Sequence, residues 1–328
     1  MSKKIAALVG LLLTAAAPSA FASSYLFYLE AQALAGWSSA AKKVLFYSMT
    51  PTEVMQKPSL GFDYVQKFSG EAGDIATLSV QGRLAVNAEG GKTFEPQLYN
   101  AFLEIKTDWA DVWAGHNRPA MGLSSTLDNH GALLQPLSMS GFGFDRDWGL
   151  GLERQFAGGG AALSLTTGSG MPLKFGGYLL AGRVSLGVLS QDNFSVGATV
   201  AVGSLYDVMG YEILSDKPAP VRLAGLDAAW VSGTWENGVE IMGGTRGGRS
   251  TLAVFWRTGI GLLDESRLKL EAQPIVFWTE DATRLLLGGG LTFLANSDLT
   301  LRTMAAYDSE TRDVRLLFQV YYYKGIRF

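Results

Sequence analysis

Successive side chains of a β-strand point to opposite faces. A chain whose polarity alternates residue by residue is therefore committed to strands with one apolar and one polar face. From Tyr25 onward this sequence alternates almost without interruption. Stretches of roughly 8 to 13 residues are separated by turns rich in Gly, Asn, Asp, Ser and Pro. Between Ala76 and Val86 the even positions are apolar or Gly, and the odd ones carry Thr77, Ser79, Gln81, Arg83 and Ala85. Tyr99, Ala101, Leu103 and Ile105 oppose Asn100, Glu104 and Lys106. Phe194, Val196, Ala198, Val200 and Val202 oppose Ser195, Gly197, Thr199 and Gly203. Leu268, Leu270 and Ala272 oppose Lys269, Glu271 and Gln273. The last stretch sets Val314, Leu316, Phe318, Val320 and Tyr322 against Arg315, Gln319 and Tyr321.

A soluble sandwich also alternates, so composition has to decide. Charged residues make up 17% of the chain, against roughly 25% in soluble domains, while 48% is hydrophobic and Gly occurs 40 times. The polar faces mix small residues with isolated charges, as a water-filled lumen requires, and the apolar faces often end in Trp, Tyr or Phe, as interfacial girdles do. Strands in lipid have every backbone group paired only when the sheet closes on itself. The fold class is therefore all-β, a transmembrane antiparallel β-barrel. The chain has no Cys, which excludes disulfide scaffolds, thiolate metal centres and c-type haem attachment. A formal charge of −3 gives no basic face for nucleic acid. No cofactor is expected.

Residues 1–22 read as a secretory signal peptide: Lys3 and Lys4, an apolar run from Ile5 to Ala17, then Ala20-Phe21-Ala22 as the cleavage site. The run is shorter than the roughly 20 apolar residues a spanning helix needs. Cleavage takes the formal charge from −3 to −5 and leaves residues 23–328 as one barrel domain. Sixteen strands are expected, at about 25–37, 59–68, 74–86, 97–107, 110–116, 148–156, 160–167, 178–188, 194–204, 221–231, 237–246, 250–261, 266–278, 283–293, 298–307 and 313–323, with fourteen as the alternative. With both termini on the periplasmic side, the brief turns fall there. They include Gly158-Gly159-Gly160, Gln191-Asp192-Asn193, Glu236-Asn237-Gly238 and Asn296-Ser297-Asp298. The long connections 38–58, 87–96, 117–147, 168–177 and 205–220 all fall outside. Trp37, Tyr99, Trp148, Tyr178, Tyr206, Trp278 and Tyr307 then mark the outer girdle; Tyr64, Phe68, Trp109, Trp230, Trp235 and Tyr321 to Tyr323 mark the inner one. Trp256 falls mid-strand as a lipid-facing exception.

The chain ends with Val320, Tyr322, Ile326 and Phe328 on one parity, with Lys324 breaking the alternation. This resembles the C-terminal signature of Gram-negative outer-membrane proteins, and the resemblance implies that Phe328 is read by the outer-membrane assembly machinery. The third outer connection, 117–147, is the longest and exceeds the 12–15 residues of an ordinary loop. It carries Leu133, Leu134, Leu137, Met139, Phe142 and Phe144, too apolar for a free loop in water. Sixteen strands with a longest third loop resemble the layout of the outer-membrane porins over the whole mature chain. Leu98 to Leu103 and Gly115 to Gly122 are similar to the strand pair before a G-x-x-x-P-x-x-G loop in phosphate-type and related specific porins. The resemblance implies a passive channel for small hydrophilic solutes or ions in the outer lipid membrane, with loop 117–147 folded inward as a constriction. Porins of this size are often trimers, so it also points to a homotrimer.

On this layout the constriction loop contributes Arg118, Asp128, His130, Asp145, Arg146 and Asp147. Strand parity directs Arg83, Lys106, Arg183, Arg257, Lys269, Arg284, Arg302 and Arg315 into the lumen, with Glu30, Glu104, Glu153, Asp227, Glu240 and Glu271. The excess of cations implies a mild anion preference, unless the charges neutralise one another across neighbouring strands. His116 and His130 read as hydrogen-bonded loop residues rather than metal ligands. Two rival roles compete with a porin: a barrel sheathing a partner such as an electron-transfer cytochrome, and an outer-membrane lipid hydrolase using Ser124 or Ser125 with a His.

Overall fold

The computed structural model describes residues 22–53, 56–71, 73–87, 92–123, 133 and 136–326. Residues 1–21 of the signal segment, Asp128, His130, Ser124, Ser125 and Phe328 lie outside the described residues. Among those described, sixteen long antiparallel strands form one closed sheet: β1 Ala22–Ser38, β2 Ser59–Gly70, β3 Gly73–Asn87, β4 Lys92–Lys106, β5 Asp111–Asn117, β6 Asp147–Phe156, β7 Gly159–Thr166, β8 Tyr178–Leu186, β9 Phe194–Leu205, β10 Ala219–Ser232, β11 Trp235–Arg246, β12 Arg249–Leu262, β13 Leu268–Thr279, β14 Thr283–Leu294, β15 Leu299–Asp308 and β16 Asp313–Ile326. Each pairs with its sequence neighbour. The seam closes where β1 meets β16 over twelve rungs, from Phe27↔Ile326 to Ser38↔Arg315. Sixteen is thus the count and fourteen is not. The short Lys43–Leu45 strand folds back antiparallel on the end of β1, with Ser38 opposite Lys43 and Gly36 opposite Leu45, and Val208–Met209 pairs with Glu212–Ile213 as a miniature hairpin in a loop.

The long connections all leave one end of the barrel, the outer end. At the other end the strands are joined tightly, as at Ala157-Gly158, where Gly158 has a φ of +81°. Two corrections concern turns. The β10–β11 turn is Gly233-Thr234, with Gly233 at φ +60°, so Asn237 and Gly238 lie inside β11. The second outer connection is shorter than expected because β4 already begins at Lys92.

The apolar parity faces outward as the alternation requires. Val200 is 64% exposed, Leu226 65% and Trp256 46%, on a surface that lipid would cover. Trp37, Tyr178, Trp278 and Tyr307 at the outer ends, and Trp109, Trp230 and Trp235 at the inner ends, are exposed as girdle residues should be. Three aromatics depart from this pattern. Tyr99 is buried, because an extra residue is inserted in β4 where Gln81 pairs with Asn100 but Gly82 pairs with Leu98. Such a bulge shifts side-chain parity by one and turns the Tyr99 ring inward. The backbone of Leu98 at this bulge is held by Tyr211, whose hydroxyl donates to the Leu98 carbonyl at 2.8 Å. Tyr206 is buried beneath the 167–177 connection, where its hydroxyl donates to the Phe175 carbonyl. Tyr321 has inward parity and is also buried.

Candidate functional site

The inside of the barrel has two unlike halves. From β8 to β13 the inward positions are largely apolar: Leu179, Ala201, Leu205, Val221, Leu223, Met242, Ala253, Phe255, Ile275 and Phe277 are all buried. This corrects the expectation of a polar face throughout, since alternation reveals two faces but not that both are apolar. The opposite half, from β15 through the seam to β4, carries Glu30, Gln32, Gln81, Arg83, Gln97, Asn100, Arg302 and Gln319.

The third outer connection lies against the apolar half. Met121, Leu123, Leu137 and Phe142 join its cluster, and Phe142 stacks on Phe277 with ring centroids 6.0 Å apart. Burying a side chain of this kind is worth about 1.5–3 kcal/mol, so the seat holds the loop by several such increments. Polar contacts fix its register: Ala120 N–H donates to Ser164 Oγ at 2.9 Å and Gly122 N–H to Thr199 Oγ1 at 3.1 Å. Gly122 has a φ of +57° and sits against the Glu240 carboxylate, where a Cβ would collide. Leu133 packs against Leu34, Met304 and Leu317, on the inner faces of β1, β15 and β16. The loop therefore reaches across the lumen. Above it a cavity of about 390 Å³ is lined by Glu53, Ser140, Phe144, Tyr206, Arg246 and Arg284, among others. Below it one of about 770 Å³ is lined by Leu123, Arg183, Trp230, Arg257, Lys269 and Glu271, among others.

The structure separates the loop residues singled out from sequence. Arg118 is half-buried and acts electrostatically on Glu153. Asp145 and Arg146 are buried and paired at 3.1 Å; Tyr99 donates to Asp145 at 2.6 Å, and Arg146 donates to Asn100 at 2.6 Å and lies 4.3 Å over the Tyr99 ring. They anchor the loop to β4. Asp147 is fully buried and accepts hydrogen bonds from Trp148 N–H, the Thr166 and Thr167 hydroxyls and the Gly168, Ser169 and Gly170 N–H groups. It organises the fourth outer connection and presents no oxygen to a passing solute. His116 is not a loop residue as expected: it lies inside β5, fully buried, its ring 4.8 Å from Trp148.

The wall charges are brought together in pairs. Arg83 meets Glu30 at 3.4 Å, Arg183 grips Asp227 at 2.6 and 3.0 Å, and Arg257 meets Glu271 at 2.5 Å. Lys269 pairs with Glu236. Arg284 forks onto Asp308 at 2.7 and 3.0 Å and Arg315 meets Asp313 at 2.6 Å. Arg302 donates to Gln319 at 2.9 Å. Lys106 is exposed at the inner end of β4, where Asp111 stands opposite it in register and Glu153 opposite Asp111; Glu104 lies beside them. Sequence reasoning missed Asp308 and Asp313 as partners because each sits at a strand boundary.

The first outer connection carries a titratable group of its own. Glu53 is buried and accepts from Ser48 Oγ at 3.0 Å and Met49 N–H at 3.1 Å. Burial pushes its carboxyl up to about 7, opposed by those hydrogen bonds and by Lys57. A raised carboxyl favours the folded loop in the protonated form, so this stabilisation is present below about pH 4.5 and is lost as pH rises through 7. Protection of the Ser48 and Met49 amides in hydrogen exchange, corrected for intrinsic rates, is expected to fall between pH 5 and pH 8.5. Glu53→Gln should remove that dependence; an unchanged pH profile in the variant would refute the assignment.

No protein-family model matches the sequence, and no curated protein is significantly similar to it. Solved structures do match in fold. An anion-selective porin from Comamonas acidovorans is 11% identical with a TM-score of 0.64, over 92% of this chain and all of that one. OmpF of Salmonella typhi, in a complex with daunomycin, is 10% identical with a TM-score of 0.64, over 92% of this chain and 97% of that one. A loop-deletion form of OmpT, an outer membrane protein of Vibrio cholerae, is 13% identical with a TM-score of 0.62, over 92% and 100%. The architecture is that of the sixteen-stranded porin barrels.

Proposed function

We propose that this protein is a passive diffusion channel for small hydrophilic solutes or ions in the outer membrane of a Gram-negative bacterium, exported by residues 1–22 as a cleaved signal peptide. The observation that carries the reading is the third outer connection lying across a closed barrel, with an open cavity on either side of it. Hydrolysis and redox chemistry have no part in it: the chain's contribution is the width and lining of the passage. Porin neighbours share this barrel shape, and a trimer form is named for OmpT of Vibrio cholerae. A homotrimer is accordingly the assembly proposed for this chain.

Purified protein in planar bilayers should give discrete conductance steps in KCl without any partner. Gly122→Ala should raise the step size, because the added methyl meets the Glu240 carboxylate and lifts the loop from its seat. Absence of steps from folded wild-type protein would sink the reading. The mild anion preference is kept as a proposal of small size, since six wall cations have carboxylate partners and Glu104, Asp111 and Glu153 gather near the inner mouth. A sheath around a partner is disfavoured by the loop that already occupies the lumen. Of the two histidines a lipid hydrolase could use, His116 is buried against Trp148, which leaves such a reading to His130, and a lipase assay on the same preparation distinguishes it.

A further inference from the structure

Five side chains on adjacent strands around the seam carry buried polar atoms that find no partner among the described residues. They are Gln319 on β16 (Nε2), Gln32 on β1 (Nε2 and Oε1), Ser59 on β2 (Oγ), Arg83 on β3 (Nη2) and Gln97 on β4 (Nε2). The register places them together on the lumen face. Gln32 stands opposite Tyr321 and Ser59, Gln319 is one inward position along β16 from Tyr321, and Arg83 stands opposite Gln97. Gly61 lies between Glu30 and Arg83, and a Cβ there would come within 2.6 Å of Arg83 Cβ; its absence lets the two charges meet. Glu30 offsets the Arg83 charge, so the cluster offers mainly uncharged donors with a few acceptors.

Buried polar atoms without partners are costly, and native structures rarely hold several in one place. The apolar half of the lumen presents the opposite balance. Lifting the loop from Leu223, Phe255 and Phe277 would expose a large apolar surface to water, whereas opening the amide side breaks the smaller contact of Leu133 with Leu34, Met304 and Leu317 and hydrates groups that lack partners. The two halves of the wall therefore decide where the loop and barrel part.

We propose that the two cavities, whose strand walls come from β6 to β14, are joined past the loop along the wall from β16 across the seam to β4, and that the amides of this wall recognise uncharged polyhydroxylated solutes. This rests on the channel reading above and adds to it the side of passage and the chemistry of the preferred solute. A polyol matches the wall because each hydroxyl both donates and accepts, as the Gln32 and Ser59 groups require. A charged solute gains little there, since the guanidinium already has its carboxylate.

The absence of cysteine gives a direct test, because single cysteines can be introduced without background labelling. In bilayers, Gln319→Cys and Gln32→Cys should react with a water-borne methanethiosulfonate reagent and lose conductance. Leu223→Cys and Ala253→Cys, on the apolar half, should conduct and stay unreacted. In liposome swelling, Gln32→Leu/Gln319→Leu should admit sorbitol about tenfold more slowly than wild type, a larger fall than in its own KCl conductance. Labelling of the apolar-half cysteines in preference overturns the route, and an unchanged sorbitol rate overturns the solute class. Folded wild-type protein without conductance would overturn the channel reading itself. Conductance by each variant confirms that its barrel has formed.

Discussion

Asp147→Ala is expected to destabilise the barrel by roughly 3–5 kcal/mol, read as a shift in the urea midpoint of the protein folded into lipid vesicles. Its carboxylate gathers four backbone N–H groups and two hydroxyls into one buried point, with distances from 2.6 to 3.3 Å. Alanine leaves the Gly168, Ser169 and Gly170 amides facing each other without an acceptor. Some of the loss will be recovered where water enters, which sets the upper bound. Asp147→Asn keeps one acceptor oxygen and should fall between wild type and alanine. Proteolysis of the 167–177 connection should accelerate in the same order. A midpoint for Asp147→Ala within experimental error of wild type would show that the connection holds itself without this carboxylate.

The second large effect concerns the buried pair on β8 and β10. Arg183 donates to both oxygens of Asp227, each side chain nearly without solvent contact, and Glu240 stands opposite Asp227 on β11. Arg183→Ala leaves two carboxylates facing one another with their cation gone, at a cost of about 3–5 kcal/mol. Changing both members, Arg183→Leu with Asp227→Leu, should recover much of that loss, because the surroundings include Ala181, Ala201 and Ala229 and leave no charge stranded. Gly197 serves the same pair: a Cβ there would lie 2.6 Å from Asp227 Oδ2, so Gly197→Ala should disturb the fork without altering any charge. Additive losses in the single and double variants would show that the two side chains act independently.

Much of the architecture was legible because period two is a strong signal when one face must meet lipid. The sixteen strands and the crowding of long connections at one end followed from alternation, turn residues and segment length. What escaped was local or two-sided. Tyr99 lies in an unbroken alternating stretch, and nothing in Leu98-Tyr99-Asn100 announces the inserted residue that turns its ring inward. The segment Tyr178-Leu179-Leu180-Ala181 is apolar at consecutive positions, so parity alone could not show that Leu179 lines the lumen. Asn237-Gly238 has turn chemistry but lies in β11, because Gly233 supplies the positive φ two residues after the Val231 rung. Among the site residues, the wall cations could be placed by parity while their neutralisation could not. Pairing depends on which carboxylate stands across the next strand, and register is not written in either strand by itself.

The seam between β1 and β16 also carries a consequence for biogenesis. Ser38 and Asp313, hydrogen-bonded at 2.8 Å, are 275 residues apart in the chain, and at the inner end Tyr28 stacks on Tyr323 at 4.7 Å. Nearly every other strand pairing joins immediate neighbours and can form as a travelling series of hairpins. Only this one must wait for both ends of the ribbon to meet, and loops of such length close slowly. Until then the sheet has two bare edges, each able to pair with a stranger. The slowest and most error-prone moment in this molecule's life is thus the final one: a ribbon becoming a ring.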